Sequence, residues 1–145
     1  MKIVIQRVTR SAVHVDGEEI AAIARGLLLL VGAEKGDSDG PVRWLAEKIL
    51  NLRIFPDAAG KMNVSCRDVA GEILVVSQFT LAGDCTRGRR PGFDKAAPPA
   101  EAERLYRLLI QELSASKLRV AEGKFGADMQ VELVNDGPVT FILER

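Results

Sequence analysis

Ser77-Gln78-Phe79-Thr80 places two hydroxyls and a carboxamide at the end of a run, Glu72 to Leu81, that is otherwise apolar and β-branched. Polar groups at a strand end beside a long loop can meet a ligand together with exposed backbone N–H groups. They can equally face solvent as the strand leaves its sheet. A hydroxyl nucleophile needs a base held against it, and the sequence marks none. The one histidine, His14, falls in an alternating strand pattern and reads as a surface or half-buried residue. There is no G-x-S-x-G elbow, no phosphate-binding P-loop and no Rossmann glycine pattern.

Two further segments carry chemical potential. Arg87, Arg89, Arg90 and Lys95, with Phe93 among them, could contact phosphates and offer a stacking ring, or could form a solvated loop. Asn135-Asp136-Gly137-Pro138 has the composition of a hairpin turn, and base rates make its Gly–Pro bond trans. Cys66 and Cys85 are too few and too far apart for a zinc site or a disulfide framework, and a single histidine cannot complete a His/Cys cluster. Both read as ordinary thiols. No metal and no cofactor is expected, with a carboxylate site left open only in form.

The elements that must position these residues follow from periodicity. Residues 2–33 read as three strands: Ile3 and Ile5, then Val13 and Val15, alternate with polar neighbours, and Asp16-Gly17 marks a hairpin. The continuous apolar run Leu27 to Val31 suits a strand covered on both faces. Ser38 or Asp39 caps a helix with Pro41 in its first turn and Val42, Leu45, Ile49 and Leu52 along one face. Phe55-Pro56-Asp57 closes that unit, and Ala59-Gly60-Lys61 reads as a tight turn. Ala82 to Pro99 reads as a long loop, of a length that is usually functional or disordered. Pro98-Pro99 opens a second helix with Ala102, Leu105, Leu109 and Leu113 on one stripe, and Met129 to Leu143 reads as a strand pair around the Asn135–Pro138 turn.

Composition sets the frame. The chain has 145 residues, 47% hydrophobic and 28% charged, which suits one globular domain over residues 1–145. Twenty basic and twenty acidic side chains cancel, which excludes a wholesale basic face but not a local cluster. No apolar run approaches a membrane span, and no signal-peptide pattern opens the chain, so the expected location is cytoplasmic. Composition and spacing alone stop at a mixed α/β domain with one suspicious strand end.

The combination of Ser77-Gln78-Phe79-Thr80-Leu81 with Asn135-Asp136-Gly137-Pro138-Val139-Thr140 resembles the D-aminoacyl-tRNA deacylases of the widespread bacterial and eukaryotic type. The resemblance runs nearly end to end, through Ile5-Gln6-Arg7-Val8, Ala46 to Arg53, Gly60-Lys61-Met62-Asn63, Gly88-Arg89-Arg90-Pro91 and Phe125 to Met129. Gly83, Cys85 and Gly92 depart from the family's pattern, all within the long loop.

The resemblance implies a largely antiparallel, barrel-like sheet with two main helices, and a homodimer with active sites at the interface. It implies hydrolysis of the ester between a D-amino acid, or glycine, and the terminal adenosine of tRNA, with no membrane or DNA partner. Gly137-Pro138 is then a cis pair reaching into the partner subunit's site, and Arg7 holds that segment outward through backbone carbonyls. The backbone N–H groups of Phe79 and Thr80 would bind the developing oxyanion, while Ser77 and Gln78 orient the acyl end. Phe125 and Met129 would help form the adenosine pocket, and Arg87, Arg89 and Arg90 would meet the tRNA. Two other classes stay open: a tRNA-binding module without catalysis, and a Ser/Thr-nucleophile esterase.

Overall fold

The computed structural model describes residues 1–145. Three strands open the chain: β1 (Lys2–Val15), β2 (Glu18–Ile23) and β3 (Gly26–Gly32). Helix α1 (Asp39–Asn51) starts after Ser38, which takes the cap position without a side-chain hydrogen bond. The short hairpin of β4 (Phe55–Pro56) and β5 (Met62–Val64) follows, then β6 (Glu72–Ser77). The second half contains α2 (Pro99–Ser114), the three-residue β7 (Val120–Glu122) and the long β8 (Gln130–Glu144). The main sheet runs β2-β1-β3-β6-β7, and β8 covers the other side of β1. Pairing is antiparallel around β1 and parallel from β3 to β6 and β6 to β7. The result is a mixed, nearly closed, barrel-like sheet with two helices. Neither helix is long and apolar enough to cross a membrane.

The apolar run of β3 is explained by two cores. Leu27, Leu29 and Val31 point into the larger core under α1 and α2, and Leu28 points into a smaller one inside the curled sheet. β6 divides likewise, with Ile73 and Val75 on the helix side and Leu74 and Val76 on the other. Burial on both faces of adjacent parallel strands favours unbroken branched residues over alternation. Strand β1 serves both cores in sequence: Ile3 and Ile5 belong to the helix-side core, Val8 and Val13 to the inner one.

Two expectations are corrected, and on a third the family resemblance holds against the base rate. The strand expected over Glu72–Leu81 ends at Ser77, because Phe79–Ala82 coils into a 3₁₀ turn closed by Leu81 N–H donating to the Gln78 carbonyl. The expected hairpin at Asn135–Pro138 is instead a bulge within one strand. Both halves of β8 pair with β1: Thr140 opposes Gln6, Asn135 opposes Val8, and residues 136–139 together face only Arg7. A turn would need the halves to pair with each other, but the 14-residue β1 offers both a longer partner. The Gly137–Pro138 bond is cis, as the family resemblance implies and base rates do not. Strand β7 has no counterpart in the sequence pattern, because three residues carry no readable period.

Gly26 has a reason. It starts β3 beside β6, and a Cβ there would stand 1.8 Å from the Glu72 carbonyl oxygen. No rotamer relieves a clash with backbone, so Gly26→Ala should cost roughly 3 kcal/mol, read as a lowered midpoint in urea. A midpoint unchanged from wild type would show that the two strands separate freely at this end.

Candidate functional site

The strand end forms one wall of a cleft of ≈ 690 Å³. Ser77 lines it from the end of β6, Gln78 and Phe79 line it from the start of the turn that follows, and Phe125 and Met129 line it from the segment between β7 and β8. Each is placed by an identifiable contact. The Gln78 N–H donates to the Val31 carbonyl at 2.7 Å, continuing the β3–β6 ladder one residue past the strand. The Gly123 N–H donates to the Val75 carbonyl at 2.8 Å and starts the opposite wall. Between the walls, Tyr106 of α2 donates its hydroxyl to the same Val75 carbonyl at 2.8 Å, and its ring meets Phe125 at 5.7 Å. Burial first, then nearby Glu122, pushes the Tyr106 phenol above its ordinary range, so it stays a neutral donor.

Phe79 and Thr80 are the first two residues of the 3₁₀ turn, whose first internal donor is Leu81. Their own N–H groups precede the turn's hydrogen-bonded residues and remain available to a ligand. The Thr80 hydroxyl accepts a hydrogen bond from the Gln78 side-chain amide, which ties the two polar residues to each other. The exposed Phe79 ring packs edge-on against Phe93 of the long loop at 5.0 Å. The loop is therefore docked beside the strand end through an aromatic pair.

Other sequence-predicted residues lie elsewhere. Arg87, Arg89 and Arg90 are exposed on the loop and do not line the cleft. Gly137 and Pro138 are exposed on the β8 bulge, also outside the cleft of their own chain. Arg7 lies beneath that bulge. It continues the inward face of Ile3 and Ile5, and its side chain is only 9% exposed. Its Nε donates to the Asp136 carbonyl at 3.0 Å and lies 3.1 Å from the Asp136 carboxylate, while Nη1 donates to the Ile54 carbonyl at 2.6 Å. Asn135 closes the base of the bulge: its Oδ1 accepts from Val139 N–H at 2.7 Å and its Nδ2 donates to the Val139 carbonyl at 3.2 Å. At Gly137, with φ +148°, a Cβ would meet Val139 at 2.6 Å, so the position demands glycine.

Comparison with known proteins fits this geometry. The family model described as D-Tyr-tRNA(Tyr) deacylase matches residues 4–144. The chain belongs to this family. A D-aminoacyl-tRNA deacylase of Geotalea uraniireducens (strain Rf4) is 60% identical over 99% of this chain and 93% of its own length. One of Pelobacter propionicus (strain DSM 2379 / NBRC 103807 / OttBd1) is 59% identical over the whole of both chains. A solved structure described as c-Myc DNA Unwinding Element Binding Protein superposes with a TM-score of 0.94 at 45% identity, covering 100% of this chain and 99% of that one. A probable eukaryotic D-amino acid tRNA deacylase, 16% identical, shares the fold with a TM-score of 0.84 over 98% and 97% of the two chains.

Family membership sharpens what sequence reasoning missed in the site. Tyr106 sits one residue beside the apolar stripe of α2, where spacing alone reads as helix flank. Lys35, which lines the cleft from the β3–α1 connection, carries no motif at all. His14 lies away from the cleft, 3.8 Å from Glu19 on the paired strand β2. The two cysteines separate cleanly. Cys66 is fully buried, and burial pushes its thiol up to about 12, whereas Cys85 is exposed on the loop. At pH 8 the Cys66 thiol therefore stays protonated and shielded. Native protein should release one equivalent of thionitrobenzoate from Ellman's reagent and unfolded protein two; two equivalents from the native state would contradict the buried assignment.

Proposed function

We propose that this chain, as a single domain over residues 1–145, hydrolyses the ester between a D-amino acid and the 3′-terminal adenosine of tRNA. The observation that carries the reading is the end-to-end family match, in a chain whose Ser77–Phe79 strand end opens into the cleft opposite Phe125 and Met129. In this reading the adenosine lies against Phe125 and Met129, and the acyl carbonyl reaches the N–H groups of Phe79 and Thr80. Ser77 and Gln78 orient the acyl end. Glycyl-tRNA, which offers no side chain to reject, is a second substrate.

The chemistry asks little of the protein. Water adds to an already activated ester carbonyl, the bond to the ribose oxygen breaks, and that oxygen takes up a proton. The neighbouring ribose hydroxyl of the substrate activates the water, which replaces the protein base absent from the Ser77–Thr80 strand end. What remains is positioning and stabilisation of the negative charge that develops on the carbonyl oxygen. The hydroxyl-nucleophile alternative needs a base held against the hydroxyl, and none is: the Thr80 hydroxyl is bonded to the Gln78 amide, and the Tyr106 hydroxyl is committed to Val75.

Chirality is enforced by exclusion. The carbonyls of Gly137 and Pro138, supplied by a second copy of the chain, occupy the volume that an L side chain needs. Two features support a homodimer. The gate residues lie outside the cleft of their own chain, and β8 exposes Val134, Phe141 and Ile142 on either side of the bulge. Seating the bulge in a partner's cleft would cover such a strip. Arg7 holds the gate outward, Arg87, Arg89 and Arg90 meet the tRNA body, and the protein works in the cytoplasm, where charged tRNA is used.

Purified protein should release free D-tyrosine from D-tyrosyl-tRNA, and Thr80→Ala should keep activity within about tenfold because only the backbone of Thr80 acts. A folded Thr80→Ala protein that loses activity by a thousandfold would restore the hydroxyl-nucleophile mechanism. A folded dimer that binds the charged tRNA without releasing the amino acid would favour a binding module.

A further inference from the structure

Among the residues lining the cleft, Lys35 is the one cation. It sits at the rim on the β3–α1 connection, fixed by its own backbone: the Lys35 N–H donates to the Lys95 carbonyl at 2.9 Å, and the Ala97 N–H donates to the Ala33 carbonyl at 3.1 Å. These bonds, with the Glu34–Ala96 bridge, dock the end of the long loop against the connection. The rim is thus a built edge of the cleft and not a free tail.

The acidic groups beside Lys35 in sequence are engaged elsewhere. Glu34 lies 3.7 Å from the Lys2 ammonium, and the Asp37 carboxylate accepts the Glu34 N–H at 2.6 Å. Asp128, the one carboxylate lining the cleft, stands on the Phe125–Met129 wall and forms no ion pair with Lys35. An exposed ammonium, unpaired at the mouth of a largely apolar cleft, is placed to receive an anion from whatever occupies that cleft.

In the proposed reading the substrate carries an anion next to the nucleoside that the same cleft holds. With the ester at the strand end and the adenosine on Phe125 and Met129, the substrate's nearest phosphate is the one on the 5′ oxygen of that adenosine. We infer that Lys35 binds this terminal phosphate diester and so anchors the acceptor end at its last nucleotide. The inference rests on the deacylase reading. It separates two tasks: Lys35 fixes the last nucleotide at the cleft, while the loop arginines, outside the cleft, meet phosphates farther along the strand.

The test is a substrate pair differing by one phosphate: 2′(3′)-O-D-tyrosyl-adenosine and the same ester carrying a 5′-phosphate. Wild type should show a KM lower by about tenfold for the phosphorylated ester, in line with one charge-assisted contact. Lys35→Gln should abolish that preference with kcat held, and Lys35→Arg should restore most of it. On D-tyrosyl-tRNA, Lys35→Gln should make the plot of log kcat/KM against log salt shallower by about 0.7, the value for one contact on a single strand. A substrate preference and a salt slope that both survive in Lys35→Gln would overturn the inference and leave the deacylase reading standing. A wild-type protein that cleaves neither ester nor charged tRNA would overturn both. A merely structural lysine would alter both esters alike, which also counts against phosphate binding.

Discussion

A guanidinium buried where β1 passes from one core to the other organises much of this molecule. Arg7 takes the inward position that follows Ile3 and Ile5, where an apolar side chain would continue the pattern. An interior cation is tolerated only when its donors are met, because an uncompensated buried charge costs on the order of 3–5 kcal/mol. Two distant segments meet them. The Ile54 carbonyl arrives just past α1, and the Asp136 carbonyl and carboxylate arrive from β8. Delivering Asp136 to that point needs four residues of β8 opposite one residue of β1. The surplus chain has to leave the sheet, and it leaves as Gly137-Pro138. The Phe55 ring, with its centroid 6.0 Å from the Arg7 guanidinium and 5.4 Å from that of Arg25, adds an aromatic face to the same seat.

The cleft obeys a different constraint. Strand β6 must stop being a strand where its polar residues begin, and the Phe79–Ala82 turn accomplishes this while freeing two N–H groups. The Tyr106 hydroxyl, from α2, and the Gly123 N–H, from the segment after β7, converge on one carbonyl, Val75. The site walls are therefore indexed to a strand buried on both faces, so a substrate's position is set by core packing more than by loop conformation. The edge contact between Phe79 and Phe93 extends that frame to the long loop. In one chain, gate and cleft occupy separate places, and the proposed dimer brings them together.

Most of the fold was legible because its signals are local. The Asp16-Gly17 turn, the two-sided apolar run of β3 and the helical stripes of α1 and α2 each depend on a few adjacent residues. The bulge in β8 was not legible from composition, since Asn-Asp-Gly-Pro serves a turn equally well and the deciding partner, Arg7, lies 129 residues away. The end of β6 is hidden in a similar way: Phe79 and Leu81 continue an apolar pattern that the backbone abandons. Within the site, Ser77, Gln78 and Phe79 stood out by type, and Phe125 and Met129 through the family resemblance. Lys35 and Tyr106 gave no signal, because their roles come from the cleft that distant elements enclose.

The central claim is that Arg7 holds Gly137-Pro138 as a barrier to L side chains and takes no part in the chemistry. Hydrolysis of matched D-tyrosyl-tRNA and L-tyrosyl-tRNA by wild type and by Arg7→Lys measures this directly. Lysine keeps the charge but cannot span both carbonyls in the same fork geometry. Wild type should cleave the D form alone, and the folded Arg7→Lys protein should still cleave it while admitting the L form, narrowing the D-to-L ratio by about tenfold or more. Cleavage of both forms by wild type, or an unchanged ratio in the variant, would contradict the account.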